Sequence, residues 1–372
     1  MLVPVGSAAA ASVPAWKTSL PGGLAQGYSG GGFGSTGTGS GSAGGSTAAP
    51  GRQFSSTFSG SGEAINYTGY VPTSYHEGNA VPLVVSLHGC TESAAEFRQL
   101  TRWDQLAEAR GFIVVFPEQT QRNNYLRCWN WFQSAHMQRA SGEPALIAGI
   151  TQWVQQRYSI DTRRTYVDGF SAGGAMSSVM AATYPDLYAA AAIGSGCEYA
   201  ASVTCVGRRS SDPGSAGQKA ASAMGSHARP MPVIVFHGDQ DTTVPATNAD
   251  QLVSQWETTD DLVDDGAKNG SIAAQPTKVT RGQVPNGRFY TVRSYSDRHG
   301  KELIQYWLVN GMGHAWSGGC GCARYSDPSG PDATGAMYAF FTNHPMPKGT
   351  MRPLLPVWPP IDDRLISGIT GL

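Results

Sequence analysis

The apolar positions of this chain fall into short runs separated by stretches with a helical period. Pro82–Leu87 (PLVVSL) is almost continuously apolar, as a strand buried on both faces requires. Phe112–Phe116 (FIVVF), Ala190–Ile193 and Val233–Phe236 share that character, Thr165–Asp168 is a shorter run, and Leu303–Val309 is strand-like. Between them lie helix patterns over Ala94–Ala109, Pro144–Tyr158, Ala172–Thr183, Asn248–Trp256 and Ala333–Phe341. In the second of these, Leu146, Ile147, Ile150 and Val154 share one helical face. The alternation predicts an α/β fold with a mainly parallel central sheet and helices on both faces. Two polar stretches, Gly207–Pro230 and Thr259–Gly287, interrupt it and read as surface loops near an active site.

The pattern fails at both ends. Residues 28–49 (YSGGGFGSTGTGSGSAGGSTAA) have almost nothing to bury and read as a flexible linker. Proline at 345, 347, 353, 356, 359 and 360 predicts an extended tail. The chain therefore divides into an N-terminal segment (1–51), a folded body (52–344) and a Pro-rich tail (345–372). Met1–Val13 is apolar and small but lacks the basic stretch that opens a signal peptide. No apolar run reaches the roughly 18 residues that a membrane span needs.

Composition narrows the setting. Charged residues are 14% of the 372, beside 47 Gly and 23 Pro, which suits a loop-rich secreted or surface protein better than a highly charged cytosolic one, and the expected location is secreted or periplasmic. A net charge of −1 provides no electrostatic reason to bind nucleic acid or an anionic membrane. Six cysteines, Cys90, Cys128, Cys197, Cys205, Cys320 and Cys322, are an even number and fit disulfides in an oxidising compartment. Zinc is the rival reading. Against it, Cys320-Gly321-Cys322 has one intervening residue, with no second C-x-x-C or matching His pair after it.

The strongest chemical signal is Gly169-Phe170-Ser171-Ala172-Gly173, which follows a strand and opens a helix. That is the setting of a nucleophile elbow, in which a strained serine is presented above a helix N-terminus. A chance serine in a Gly-rich turn is the alternative. Ser171 needs a base, and His314, on a Gly-flanked loop after Leu303–Val309, is the best placed. His88 and His237 each precede Gly at a strand end, where a structural hydrogen bond is expected. The orienting carboxylate is expected in His237-Gly238-Asp239-Gln240-Asp241. Asp241 lies deeper in that loop and is preferred, with Asp239 as the alternative. The order Ser171, Asp241, His314 is that of α/β-hydrolases. Two backbone amides are expected to receive an oxyanion, those of Ala172 and Cys90.

Several blocks together resemble the extracellular short-chain-length polyhydroxyalkanoate (PHB) depolymerases and their feruloyl and acetylxylan esterase relatives. They are LHGCTESAAEF, CWNWF (128–132), YVDGFSAGGAMSSVMAATYPDLYAA, HGDQDTTV, GMGHAWSGG and SDPSGPDAT, and they span about residues 64–342. The resemblance implies an α/β-hydrolase fold and hydrolysis of esters in polyesters or oligomers of 3-hydroxy acids, with no metal or organic cofactor. It supports Ser171, Asp241 and His314 as the triad. It also gives Trp129, Trp131 and Trp316 a substrate-binding role, against simple core packing. It implies a Cys90–Cys128 disulfide. Cys197 and Cys205 are near enough in sequence to staple a short loop, whereas a Cys320–Cys322 ring is strained. Many family members carry a polymer-binding domain after the catalytic one. Here a Pro-rich tail follows, which shifts expectation toward soluble oligomers, amorphous polymer, or aryl and acetyl esters. A feruloyl or acetylxylan esterase is the alternative enzyme. An inactive polymer- or carbohydrate-binding module is the alternative of another class.

Overall fold

A computed structural model describes residues 51–60, 63–208 and 212–350. The Gly/Ser tract and most of the Pro-rich tail lie outside the described residues. Six strands form the parallel centre: β3 (Val81–Leu87), β4 (Ile113–Glu118), β5 (Ile160–Phe170), β6 (Ala190–Gly194), β7 (Val233–Gly238) and β10 (Glu302–Val309). Antiparallel pairs flank them, with β1 (Arg52–Gly60) and β2 (Glu63–Val71) on one side and β8 (Lys278–Gln283) and β9 (Phe289–Ser296) on the other. The ten strands run β1-β2-β4-β3-β5-β6-β7-β10-β9-β8.

The apolar runs of the centre divide between the sheet's two faces, as a period of two requires. Val233 and Val235 of β7 join one core, and Ile234 and Phe236 join the other. The first core is covered by α3 (Gly142–Arg157), α4 (Ala172–Thr183), α5 (Pro213–Met224) and α6 (Thr247–Asp265). The second is covered by α1 (Ala94–Thr101), α2 (Trp103–Arg110) and α7 (Ala333–Asn343). This two-sided α/β arrangement is the one the sequence predicts. The chain leaves β3 for β4 on one side and returns as β5 on the other, so the crevice beyond the carboxyl ends of β3 and β5 is a topological switch point. Ligands of open α/β sheets bind at such points.

Three expectations need correction. The helix predicted over Ala94–Ala109 is two helices, broken at Arg102 with φ 56°. The break drops Trp103 into the core, where its indole N–H donates to Asp168 Oδ2 at 3.0 Å. The first supposed loop contains α5, capped by Asp212, whose carboxylate accepts from the amides of Gly214 and Ser215. Its small residues permit close packing, since a Cβ on Gly217 would lie 2.6 Å from Thr258 of α6. The second loop holds the end of α6, stopped at Gly266 with φ 87°, and the edge strand β8.

Candidate active site

Ser171 sits at the end of β5 with φ 55° and ψ −117°, a conformation costly for any residue with a Cβ. The surrounding packing holds it there. A Cβ on Gly169 would come within 2.3 Å of the Gly173 backbone, and one on Gly173 within 2.0 Å of the Leu87 carbonyl oxygen. Glycine on both sides is what lets the strand, the turn and α4 approach so closely. The Ser171 amide donates to Gly194 O at 2.8 Å, pinning the turn to β6. Asp168 is buried behind the elbow and accepts from Ser86 Oγ as well as from Trp103. Burial pushes its carboxyl up to about 8.

Two groups distant in sequence, His314 and Asp241, are brought together at this serine. His314 Nε2 lies 2.9 Å from Ser171 Oγ, and its Nδ1 lies 2.7 Å from Asp241 Oδ2. Asp241 Oδ1 accepts from the amides of Thr243 and Val244 at 2.9 and 2.8 Å. Burial acts to raise the Asp241 carboxyl, but the His314 bond and charge, with help from His237 and the Val244 amide, hold it below the ordinary range. An Nδ1–H that donates to this carboxylate leaves the Nε2 lone pair facing the serine hydroxyl.

Asp239 does different work. Its carboxylate accepts from the Gly311 amide at 2.6 Å and from Asn310 Nδ2 at 2.9 Å, tying down the loop that carries His314. Gly238 lets the two loops touch, because a Cβ there would lie 2.1 Å from Met312 O. His237 is buried, which lowers its imidazole below the ordinary range against the pull of Asp241 and the Val244 carbonyl, and its Nε2 lies 2.7 Å from Val244 O. His88 is also buried, which lowers it to about 4, and its Nε2 accepts from the Gln119 amide at 2.9 Å. Both have the structural hydrogen bonds expected of them.

Facing His314 is the loop after β3. Cys90 and Ala172 both line the cavity beside Ser171, and neither amide is taken up by a partner among the described residues. Ala172 opens α4, where the first amides have no helical acceptor. The Cys90 loop is held by a Cys90–Cys128 disulfide, by Thr91 N donating to Leu126 O at 2.6 Å, and by Glu92 Oε2 accepting from Gly89 N at 2.8 Å. Burial, opposed by that bond, raises the Glu92 carboxyl to about 7. The cavity holds about 480 Å³ and is lined mainly by apolar groups.

The structure separates the three tryptophans. Trp131 lines the cavity. Trp129 and Trp316 do not, contrary to expectation. Trp129 is fully buried, with its indole N–H donating to His88 O at 3.1 Å. Trp316 starts the short strand β11 (Trp316–Ser317), packs edge-on against Phe97 and donates to Thr334 Oγ1 at 3.1 Å. All six cysteines are in disulfides, Cys90–Cys128, Cys197–Cys205 and Cys320–Cys322, which leaves none for zinc. Sequence reasoning missed Phe132, Phe170, Val203, Val206, Arg324 and Tyr325 on the cavity wall. Phe170, inside the elbow, and Phe132, at the end of the CWNWF block, had a signal; the others had none. Among the described residues no helix is long and apolar enough to cross a membrane.

The sheet, the switch-point site and the elbow define an α/β-hydrolase fold. An acetyl xylan esterase from Aspergillus awamori shares it, with a TM-score of 0.58 and 23% identity over 75% of this chain and 94% of that one. Residues 65–278 match the Esterase PHB depolymerase family, and the chain belongs to that family. It is 32% identical over 241 residues to poly(3-hydroxyalkanoate) depolymerase C of Paucimonas lemoignei, covering 63% of this chain and 54% of that protein. It is also 32% identical over 202 residues to acetylxylan esterase A of Aspergillus oryzae, covering 50% and 64%. The chain thus spans a little over half the length of these curated relatives.

Proposed function

We propose that the chain is a secreted or periplasmic serine esterase cleaving poly(3-hydroxybutyrate)-type polyesters or their oligomers through an acyl-enzyme. The observation that carries this reading is the hydrogen-bond chain Ser171–His314–Asp241 beside two unengaged amides in an apolar cavity. His314 Nε2 takes the Ser171 proton as Oγ bonds to the ester carbonyl carbon, and Asp241 stabilises the imidazolium. The carbonyl oxygen becomes an oxyanion and accepts from the Cys90 and Ala172 amides. Collapse breaks the bond to the alcohol, which leaves with the proton from His314. Water then repeats the sequence, regenerating Ser171 and releasing the acid.

The rim of the cavity favours a polyester. Leu126, Val203 and Val206 line it while remaining 53%, 51% and 44% exposed, and neighbouring Tyr125 is 83% exposed. Such a rim suits an aliphatic chain better than the hydroxyls of a sugar. The Paucimonas relative, a poly(3-hydroxyalkanoate) depolymerase by name, supports the same substrate class. The acetylxylan esterase relatives support a second reading, with the same triad acting on plant cell-wall esters. Three disulfides support an oxidising compartment.

Ser171→Ala is expected to lower hydrolysis of p-nitrophenyl butyrate by more than about 10³-fold. A fluorophosphonate should label Ser171 in the parent and nothing in the variant. Unchanged turnover sinks the esterase reading, and failure to label favours an inactive binding module. Rates on poly(3-hydroxybutyrate) film, its soluble oligomers, methyl ferulate and acetylated xylan separate the two substrate readings.

A further inference from the structure

The cavity is apolar and lacks carboxylates, yet one strong charge stands on its wall. Among the described residues lining it, Arg324 is the only one with a permanent charge, and no Asp or Glu lines it. Arg324 forms no ion pair among the described residues. Asp327, the carboxylate nearest in sequence, is taken by Arg288 at 3.0 Å. The guanidinium carbon lies 5.3 Å from the ring centre of Tyr325. That ring in turn stands edge-on to His314, with centroids 6.1 Å apart. The cation therefore sits one aromatic ring away from the base.

The loop bearing Arg324 is held from several sides. It lies between β11 and β12 (Ser326–Asp327), which pair in parallel, and Tyr325 O accepts from Trp316 N at 2.7 Å. Cys320 is disulfide-bonded to Cys322, its amide donates to Leu100 O at 3.1 Å, and Arg102 donates to Gly319 O. The Arg324 side chain is itself exposed, but the backbone that carries it is held, so it has less freedom to lose on binding than a side chain on a mobile loop. It meets the Tyr325 ring but has no charged partner among the described residues, so an anion brought by the substrate supplies the one its charge lacks.

We propose that Arg324 binds the terminal carboxylate of short oligomers of hydroxy acids, making their free acids preferred over the neutral esters. This rests on the polyester reading above and sharpens it. A polyester of hydroxy acids presents one carboxylate, at its chain end, whereas its internal units and an acetylated sugar unit are neutral at the cleaved ester. Arg324 therefore directs the enzyme toward chain ends and released oligomers, while the apolar rim serves internal segments.

The test compares the dimer of 3-hydroxybutyrate as the free acid with its methyl ester, which carries the same cleavable bond between units. The parent should show a higher kcat/KM for the free acid, expressed mainly in KM. Arg324→Gln should lower the ratio of free-acid to methyl-ester kcat/KM by up to about fivefold, as for an exposed charge pair. Arg324→Lys should keep part of the preference, because it keeps the charge without the planar fork. Arg324→Glu should invert it. Added salt should erode the parent's ratio and leave that of Arg324→Gln unmoved. Equal ratios in the parent and Arg324→Gln, or a preference that survives charge reversal, overturn the proposal. So does a parent that hydrolyses p-nitrophenyl butyrate but neither dimer. A parent inactive on all three esters instead overturns the esterase reading beneath it.

Discussion

Ser171 stands between two walls that are held in different ways. The wall carrying His314, the proposed base, joins the ends of β7 and β10. Its parts are locked by backbone contact at Gly238, by Gln240 N donating to Met312 O at 3.0 Å, and by Asp239 and Asp241. The opposite wall, which presents the Cys90 amide, is held by a disulfide and by carboxyl groups whose proton affinity burial has raised. Glu92 is pushed to about 7. Glu143, which accepts from the Asn130 amide and side chain and from Gln119, is likewise pushed to about 7 by burial. The base wall depends on a charge kept ionised. The amide wall depends on a covalent tie and on buried acids that favour the neutral form. The first should be sensitive to substitution of its carboxylates, and the second to reductant and pH.

The largest expected effect comes from breaking the base wall. Asp241→Asn keeps the size of the side chain but gives up the charge that stabilises the imidazolium and selects the Nδ1–H tautomer. It should lower kcat for p-nitrophenyl butyrate by about 10³–10⁴-fold. Asp239→Asn touches the same wall one step further out and should cost far less, about tenfold or below, through looser placement of the 310–314 loop. Equal losses in the two variants would mean that the carboxylates share a role, against their separate partners.

The amide wall comes next. Removing the tie with Cys90→Ala/Cys128→Ala frees the loop but leaves the residue 90 amide in the chain. The expected loss is about 10–100-fold in kcat, below the roughly 10²–10³-fold typical of deleting one oxyanion donor outright. Cys197→Ala/Cys205→Ala is the comparison. Cys197 also lines the cavity, but the loop it closes presents none of the proposed catalytic groups, so a smaller loss is expected. A larger loss in the second pair would move the disulfide-dependent element away from the amide wall.

The two walls also differ in how plainly the sequence announced them. The parallel strands were readable because burial on both faces leaves continuous apolar runs, and the proposed triad was readable because each member stands in a Gly-containing loop after a strand pattern. The edge strands β1 and β8 were not, since their solvent face interrupts the pattern. RQFSSTFSG in β1 buries only Phe58 fully. The break at Arg102 has no Gly or Pro to mark it, and α5 was hidden by the small residues that let it pack against α6. Trp316 misled through nearness in sequence. It lies two residues from His314, but β11 turns its ring into the core beside Phe97. Arg324 and the apolar rim belong to no motif, and only the fold brings them to the cavity.

The smallest expected effect tests the buried acids. Glu92 has an ordinary pKa of 4.5 and a folded value of about 7, so between these the folded state holds a proton that the unfolded chain has lost. The resulting stabilisation is fully present below about pH 4.5, declines as pH rises, and levels off above about pH 7. Glu92→Gln keeps an acceptor for Gly89 N and removes the titration. Its Tm should fall less steeply than the parent's between about pH 5 and 7.5, a difference of a few degrees. Some slope should remain, because Glu143 and Asp168 titrate in the same direction. Superimposable Tm–pH curves would mean that Glu92 ionises in the folded protein without penalty. The contrast between a wall that needs its charge and one that resists charge would then rest on Glu143 alone.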